Sequence, residues 1–530
     1  MDVKSGKQEL TSLITNRKAD SYKRRFCYDT LRNFLTHDCE KKVCTLFGLR
    51  RTGKTTMMAQ AVADIADYEH TCWLYCEAGD EIGNVKRYLR EHPEARYVFI
   101  DEATRMANFT DAASILADRF AAEENRHIVI AGTDSLTLKL ALNGELFDRA
   151  EVIHTTYIPF REFRYLFGEQ MDIDKYIQFG GTLTTENVLY NQQAEGIADY
   201  DYTDSAIAHN IQHSLKQFKD GSAFGPLLSF YAAGELTTLI NKLVEKDNRS
   251  FLAMTINEAF QSHDLGRLRS IVDKSRDFDD VDSTLLKEKE LADRVRETLE
   301  IKEPLLNKAD KNTIAAIKKY LLMLDVIYPL PDSKEVIFTQ PGLRFSQVKR
   351  LINTLKNDSG LKEGYAPSIR EKMWQRIEDS VAGNMMEDII YAELSKNTSF
   401  CEKHEVEKYR SYDGSHEIDI VLLDKQKDEA YLLEVKHSKE YVPCYQARHL
   451  ISEEACKTIC KTHQVSIAGK AVIYRGESKP CTQGIYYFNV NQLLDEPEQT
   501  LAQMKSFYLK ATQKTPPREI EQAQRNLKAF

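Results

Sequence analysis

The stretch Val43 to Thr55, VCTLFGLRRTGKT, constrains the fold more than any other part of the chain. A short apolar run of strand length, Val43 to Phe47, leads directly into Gly48, Leu49, Arg50, Arg51, Thr52, Gly53, Lys54 and Thr55, the pattern GxxxxGKT without a departure. The glycines let backbone N–H groups close around phosphates, the lysine reaches the β and γ phosphates of a nucleotide, and the Thr55 hydroxyl holds Mg²⁺. The TTMMAQAVADIADY that follows has helical spacing, so the positive end of a helix points at the anion. Strand, loop and helix in this order predict an α/β fold with a parallel sheet, and Gly48 to Thr56 are its candidate nucleotide-binding residues. Only the backbone N–H groups of Arg50 and Arg51 are implicated.

Such a loop predicts a second strand with an acidic end, and RYVFIDEA supplies it. Asp101 would hold Mg²⁺ through water, and Glu102 would polarise the attacking water as a general base. An isolated Asp-Glu at a strand end is commonplace; the glycine-rich loop upstream gives this pair its meaning. TCWLYCEA reads as a further strand between these elements, and RHIVIAGTDSL as another one after them, ending in polar residues.

That order resembles the additional-strand, catalytic-glutamate division of P-loop ATPases. The resemblance implies a γ-phosphate sensor at Thr133, with Ser135 second, although either residue is equally suited to cap a helix. It also places Arg149 where related ATPases carry an arginine that reaches a neighbour's phosphate, the alternative being a surface salt bridge. More specifically, GTDSLTLKLALNGELFDRAEVIHTTYIPFREF is similar to the close of the nucleotide domain in prokaryotic AAA-like, STAND-related ATPases, and FGGTL and TDSAIAHNIQHSL resemble their helical lid. These matches cover about residues 40 to 215. GTDS stands where a Gly-Ser-Ser run is usual, which leaves the sensor open between the two residues. Members commonly carry a winged helix and then a domain resembling PD-(D/E)XK nucleases.

The middle of the chain fits that plan. Residues 216 to 310 are helix-rich and charged and carry no catalytic constellation. NTIAAIKKYLLMLDVIYPLPDSKEVIFTQPGLRFSQVKRLINTL then reads as helix, strand, a turn at PDSK, strand and helix, an order that resembles a winged helix. Arg344, Lys349, Arg350 and Lys356 would meet DNA phosphates in that reading; winged helices also serve as spacers between domains. Residues 341 to 376 hold eight Lys or Arg against three acids, either a basic surface or an ordinary solvated helix face.

Near the other end, YRSYDGSHEIDIVLLDKQKDEAYLLEVKHSKE reads as a hairpin of two apolar runs, Glu417 to Leu423 and Ala430 to Lys436. Alternation puts Glu417 and Asp419 on one face of the first strand and Glu434 and Lys436 on one face of the second. Carboxylates inside such apolar runs are costly unless paired or bound to metal. Asp419 followed by Glu434-Val435-Lys436 is similar to the PD-(D/E)XK site, and Glu387 in the upstream helix GNMMEDIIYAELSKN sits where that fold often adds another acid. The resemblance implies that Asp419 and Glu434 bind Mg²⁺ and that Lys436 positions or activates water, while Glu387 completes the metal shell or takes a proton. Gln446 is a weaker candidate for orienting the site. GKAVIYRG and GIYYFNV supply further strands. The fold can also keep its scaffold for binding alone.

At 530 residues the chain requires several domains. The expected order is an N-terminal helical segment (1–39), a P-loop ATPase core (40–165), a helical lid (166–250), a connector with winged helix (251–360), a PD-(D/E)XK nuclease-like α/β domain (365–510) and a polar tail (511–530). No run approaches about 18 apolar residues, which excludes a spanning helix. MDVKSGKQEL lacks an apolar signal region and the ten cysteines lack paired spacing, so reduced thiols in the cytoplasm are expected. The net charge of −9 argues against indiscriminate coating of nucleic acid. The sequence thus predicts an ATP- and Mg²⁺-dependent ATPase, with a homo-oligomer allowed through Arg149, whose nucleotide cycle controls a C-terminal Mg²⁺-dependent nuclease-like domain acting on DNA, in genome maintenance or defence against foreign DNA. A STAND-like signalling or DNA-binding ATPase with a non-cleaving C-terminal domain is the alternative.

Overall fold

The computed structural model describes residues 1–37, 41–183, 202–217, 225–260, 279–299, 304–330, 336–410, 417–441, 447–481 and 484–514. The PDSK turn, Gln446 and the tail beyond Lys514 lie outside the described residues. The chain forms two compact units built from interleaved segments, Met1–Glu169 with Gln178–Phe251 and Glu297–Lys356, and Gln170–Ile177 with Leu252–Arg296 and Asn357–Phe530. The boundary between the units falls inside the helices Leu236–Ala259 and Asp279–Leu299.

The first unit is organised by a sheet of β1 (Asp2–Ser5), β2 (Val43–Phe47), β3 (Thr71–Tyr75), β4 (Tyr97–Asp101), β5 (His127–Ala131) and β6 (Ala150–His154), in the order β1-β3-β4-β5-β2-β6. All neighbours are parallel except β1, which pairs antiparallel with β3. The strand after the acidic one, β5, lies between the P-loop strand β2 and the acidic strand β4, the additional strand the sequence predicts.

Helices cover both faces of the sheet, so the central strands are apolar throughout rather than alternating. Val43, Leu74, Ile100 and Ile130 pack on one face against Val85, Leu89 and Phe120, and Leu46, Trp73, Phe99 and Val129 pack on the other against Leu13, Leu31, Met58 and Val62. β1 departs from the helical segment expected at the N-terminus. Its four residues carry no strand-like apolar pattern, and they are held by backbone pairing along the open edge of β3.

Beyond the sheet, the first unit adds helices that pack on the P-loop side through Leu49 and Leu136, together with Ile207, Ile211, Leu239 and Leu321. Asp134 caps the helix Ser135–Asn143 by accepting from Thr137 N–H at 3.0 Å. Asp134 also bonds His213 and Ser214 on the helix His209–Gln217. The expected helix, strand, strand, helix order appears as Lys311–Met323, β7 (Ile327–Pro329), β8 (Val336–Phe338) and Pro341–Asn357, with β7 and β8 antiparallel.

One expectation there fails. Arg344 is buried, its guanidinium stacked on Phe251 and Phe338 at 4.5 and 4.8 Å and donating to the Val336 carbonyl, so it is not offered to DNA. The basic stretch 341–376 is divided between the helices Pro341–Asn357 and Pro367–Lys396, the first mostly in the first unit and the second in the second.

The second unit has a mixed sheet of β9 (His404–Arg410), β10 (Glu417–Asp424), β11 (Glu429–Lys436), β12 (Ser466–Tyr474), β13 (Lys479–Pro480) and β14 (Ile485–Asn489), in the order β13-β14-β12-β11-β10-β9. β9, β10 and β11 form an antiparallel meander, and β12 and β14 continue parallel to β11. The 30-residue helix Pro367–Lys396 precedes the meander, and Glu453–His463 leads into β12. Ile418, Leu432, Val472 and Tyr487 share its core. GKAVIYRG and GIYYFNV thus become β12 and β14, as the sequence predicts. No helix among the described residues is long and apolar enough to cross a membrane.

Arg344→Ala removes two cation–π contacts and should lower the unfolding free energy by about 1–2 kcal/mol, read by denaturant titration, without weakening any retention of DNA.

Candidate functional site

The loop after β2 is shaped by close approach. A Cβ on Gly48 would meet Thr155 Oγ1 at 2.1 Å, so only glycine lets the chain leave β2 against the end of β6. Gly53 has φ +91, a left-handed conformation open to glycine, and starts the helix Lys54–Ile65. Thr52 closes the loop on itself, donating to the Leu49 carbonyl at 2.8 Å.

Within this loop Lys54 is buried, and its Nζ donates to the carbonyls of Gly48 (2.6 Å) and Leu49 (2.7 Å). Burial pulls its pKa down to about 8, against the pull of Glu102 and Asp101. Thr55 Oγ1 and Asp101 Oδ1 stand 3.5 Å apart. Asp101 is 3% exposed, and burial, then the neighbouring Glu102, push its carboxyl up to about 6. A half-buried hydroxyl and a carboxylate short of counter-charge are the hard oxygen donors that suit Mg²⁺.

Glu102 takes a left-handed φ of 56° straight after β4. Its Oε2 accepts from Thr133 Oγ1 at 2.7 Å and pairs with Arg105 at 3.4 Å. Of the two sensor candidates, Thr133 thus touches the candidate base, whereas Ser135 is fully buried and donates to the Gly48 carbonyl. Neither caps the helix, a role that falls to Asp134. Arg149 is on the surface, paired with Asp118 at 2.7 Å and donating to the Glu145 carbonyl, so within the chain the salt-bridge alternative holds.

A cavity of 690 Å³ opens over the loop, lined by Gly53, Lys54, Thr55, Thr56 and Thr133. Eight lysines and arginines line it, and no acid does among the described lining residues. Several come from the N-terminal segment, which the sequence reading left without a role. Chief among the missed residues is Arg25, which is buried and pairs with Glu162 at 2.5 Å. Its Nη1 donates to the Thr52 carbonyl at 2.6 Å and to the Thr155 carbonyl at 3.1 Å, and its Nη2 to the Tyr157 carbonyl at 3.0 Å. Glu162 is the acid of the FREF segment, and that was the only local signal for the pair.

Residues 40–164 match the AAA domain family. The first unit therefore carries an ATP-binding, ATPase-type AAA domain, matched over less than half of the chain. No curated protein matches. Among solved structures, a Walker-type ATPase of Pyrococcus abyssi is 10% identical, with 62% of this chain and 95% of that one covered at a TM-score of 0.31. A DNA replication initiation factor is 12% identical, with 66% and 92% covered at a TM-score of 0.19. The family match and the loop geometry, rather than these two likenesses, identify the AAA domain.

The second unit brings its charged strand residues together. The β9–β10 register slips between Ile418 and Val421, and Asp419 falls in that slip. Its Oδ2 accepts from Val435 N–H at 2.6 Å. Glu434 is buried, with Oε1 bonded to Lys436 Nζ at 2.7 Å and Oε2 without a hydrogen-bond partner among the described residues. Burial, then Asp419, raise the Glu434 carboxyl to about 7. Burial works against the charge on Lys436, but Glu434 and Asp419 outweigh it and hold the ammonium above the usual range. Glu387 is also raised well above the ordinary carboxyl range, by burial and then by Asp419. Glu417, by contrast, is exposed on the rim.

An unpartnered buried carboxylate oxygen suits a cation. Yet among the described residues no group of three or more His, Cys, Asp or Glu is arranged to hold a metal ion, so Glu387, Asp419 and Glu434 do not form a ready-made triad.

Glu162→Gln should cost about 3–5 kcal/mol by leaving Arg25 buried and unpaired, read by denaturant titration. For Asp101, a folded pKa of about 6 against an ordinary 3.8 means a contribution present below about pH 4 and lost as pH rises through 6. The nucleotide-free Asp101→Asn variant should therefore gain stability relative to wild type as pH is raised from about 4 to 7, followed by thermal melts across that range.

Proposed function

We propose that the AAA domain hydrolyses ATP and that its nucleotide cycle governs a metal-dependent, DNA-cleaving site in the second unit. The hydrolytic half rests on Thr55, Asp101 and Glu102 gathered at the mouth of the P-loop, with the Thr55 hydroxyl 3.5 Å from Asp101. Lys54 and the loop N–H groups would bind the phosphates, and Glu102, once released by Thr133, would take the proton of the attacking water. Mg²⁺ held by Thr55 and Asp101 would neutralise phosphate charge.

The observation that carries the nuclease half is the Oε2 of buried Glu434, without a hydrogen-bond partner among the described residues, beside Lys436 and in the field of Asp419. Asp419 and Glu434 would hold the divalent ion, and Lys436 would orient water at the scissile phosphate. Glu387, with its raised pKa, would carry a proton or complete the shell. Lys349, Arg350 and Lys356 on the helix Pro341–Asn357 would add DNA phosphate contacts.

The lack of a three-ligand cluster among the described residues favours a second reading, in which the C-terminal domain binds DNA without cutting it. Metal distinguishes the two: Mn²⁺ titration and a cleavage assay on duplex and single-stranded DNA, with and without ATP, should give metal binding and cleavage that Asp419→Ala and Lys436→Ala abolish. Intact DNA and no metal uptake would establish the binding reading. In the same preparations Lys54→Ala should lose ATP binding, and Glu102→Gln should keep it while turnover falls by about 100- to 10,000-fold.

A further inference from the structure

The hydrolysis reading leaves one electrostatic need unmet within the chain. As water attacks the γ phosphorus, the bond to the bridging oxygen breaks with its electron pair passing to the β phosphate of ADP, and Glu102 takes the water's proton. Charge thus builds on phosphate oxygens beyond the reach of a loop whose lysine serves the β and γ groups. The arginine expected from the sequence, Arg149, is spent on Asp118 and the Glu145 carbonyl.

The cavity over the P-loop offers other cations, and most are already engaged. Arg25 is locked to Glu162, Arg105 pairs with Glu102, and Lys23 donates to the Tyr165 carbonyl at 2.6 Å. Arg50 sits on the loop itself, where its charge bears on Lys54. Two neighbours differ: among the described residues Arg17 and Lys18 make no ion pair, and both line the same cavity as Thr55, Thr56 and Thr133, but only Arg17 carries the planar fork of donors that matches a phosphate.

Local structure explains why Arg17 is there. β1 anchors the N-terminus to the sheet, and the helix Gly6–Asn16 buries Leu10, Leu13 and Ile14 beside Met57, Met58 and Val62 of the P-loop region. That helix ends at Arg17, its C-cap, and Lys18 with φ 51 turns the chain away. Gln60 of the P-loop helix then holds the turn by donating to the carbonyls of Ala19 and Tyr22. A guanidinium is thereby delivered on a rigid support, with its fork of donors uncommitted.

We propose that Arg17 is a catalytic residue of the same chain, contacting the γ phosphate and stabilising the charge that develops during ATP hydrolysis. This assignment rests on the hydrolysis reading above, and the ligand is the terminal phosphate of a nucleoside triphosphate. Arg17 is exposed and free of ion pairs, so its replacement does not disturb packing.

The test is steady-state ATP turnover of the full chain, wild type against Arg17→Ala and Arg17→Lys, at several protein concentrations, with binding of ATP and of ADP–aluminium fluoride measured alongside. The expected result is a kcat lower by about 100-fold or more in Arg17→Ala, near-unchanged ATP affinity and melting temperature, lost affinity for ADP–aluminium fluoride, and a wild-type rate per chain independent of concentration. Partial activity in Arg17→Lys would fit a role of charge. A wild type that turns over ATP while Arg17→Ala keeps its kcat overturns the assignment and leaves hydrolysis standing. So does a wild-type rate per chain that climbs with concentration and collapses in Arg149→Ala, since a neighbour's arginine would then do the work. A wild type that binds ATP and never hydrolyses it overturns both readings.

Discussion

The buried ion pair of Arg25 with Glu162 is the interaction on which the nucleotide site depends. Three parts of the first unit meet at it: the N-terminal segment, the loop at Thr52, and the chain leaving β6 at Thr155 and Tyr157. Two charges out of water are tolerable only when their remaining valences are used. Here Arg25 serves three carbonyls besides Glu162, and Glu162 also accepts from Phe26 N–H. Together with the close approach of Gly48 to Thr155, this fixes the backbone of the P-loop. Little of the loop's shape is left to the ligand to impose.

Within the chain, the charged groups of the site bond one another and the backbone. Lys54 bonds the carbonyls of Gly48 and Leu49, Glu102 is held by Thr133 and Arg105, and Asp101 faces Thr55. In the proposed cycle each of these contacts would be exchanged for one to the nucleotide before hydrolysis. The exchange would be inexpensive for Lys54, whose buried ammonium would gain phosphate oxygens in place of neutral carbonyls. It also reaches outward: Ser135 reads the Gly48 carbonyl and bonds Asn210, while Leu183 N–H and Tyr202 Oη read the carbonyls of Arg51 and Arg50. The loop's carbonyls are thereby tied directly to the segments around it.

What the sequence disclosed follows from how local each signal is. The P-loop, the acidic strand end and the hairpin from Glu417 to Lys436 are runs in which a few adjacent residues carry both periodicity and chemistry, and the structure forms all three. Arg25 and Arg17 carried no such mark, because their meaning lies in partners far along the chain; Arg25 and Glu162 are 137 residues apart. Arg344 misled for the opposite reason. Its neighbours Lys349, Arg350 and Lys356 made it look like part of a basic face, but helical spacing turned it toward Phe251 and Phe338. Likewise, β1 is a strand by virtue of the edge it meets, a property of β3 rather than of Asp2 to Ser5.

The interleaving of the two units along the chain bears on how the protein is made. The first unit is not complete until the residues up to Lys356 have been synthesised, and by then the second has already received Gln170–Ile177. Within that early fragment Asp174 bonds His437 at 2.8 Å and also Arg475, and Tyr176 reaches Glu393. As the chain emerges from the ribosome, Asp174 must therefore wait for more than 250 further residues before its partners arrive. No single cut through the backbone yields two intact halves, so neither unit could have been lost or borrowed in one step without the other being damaged.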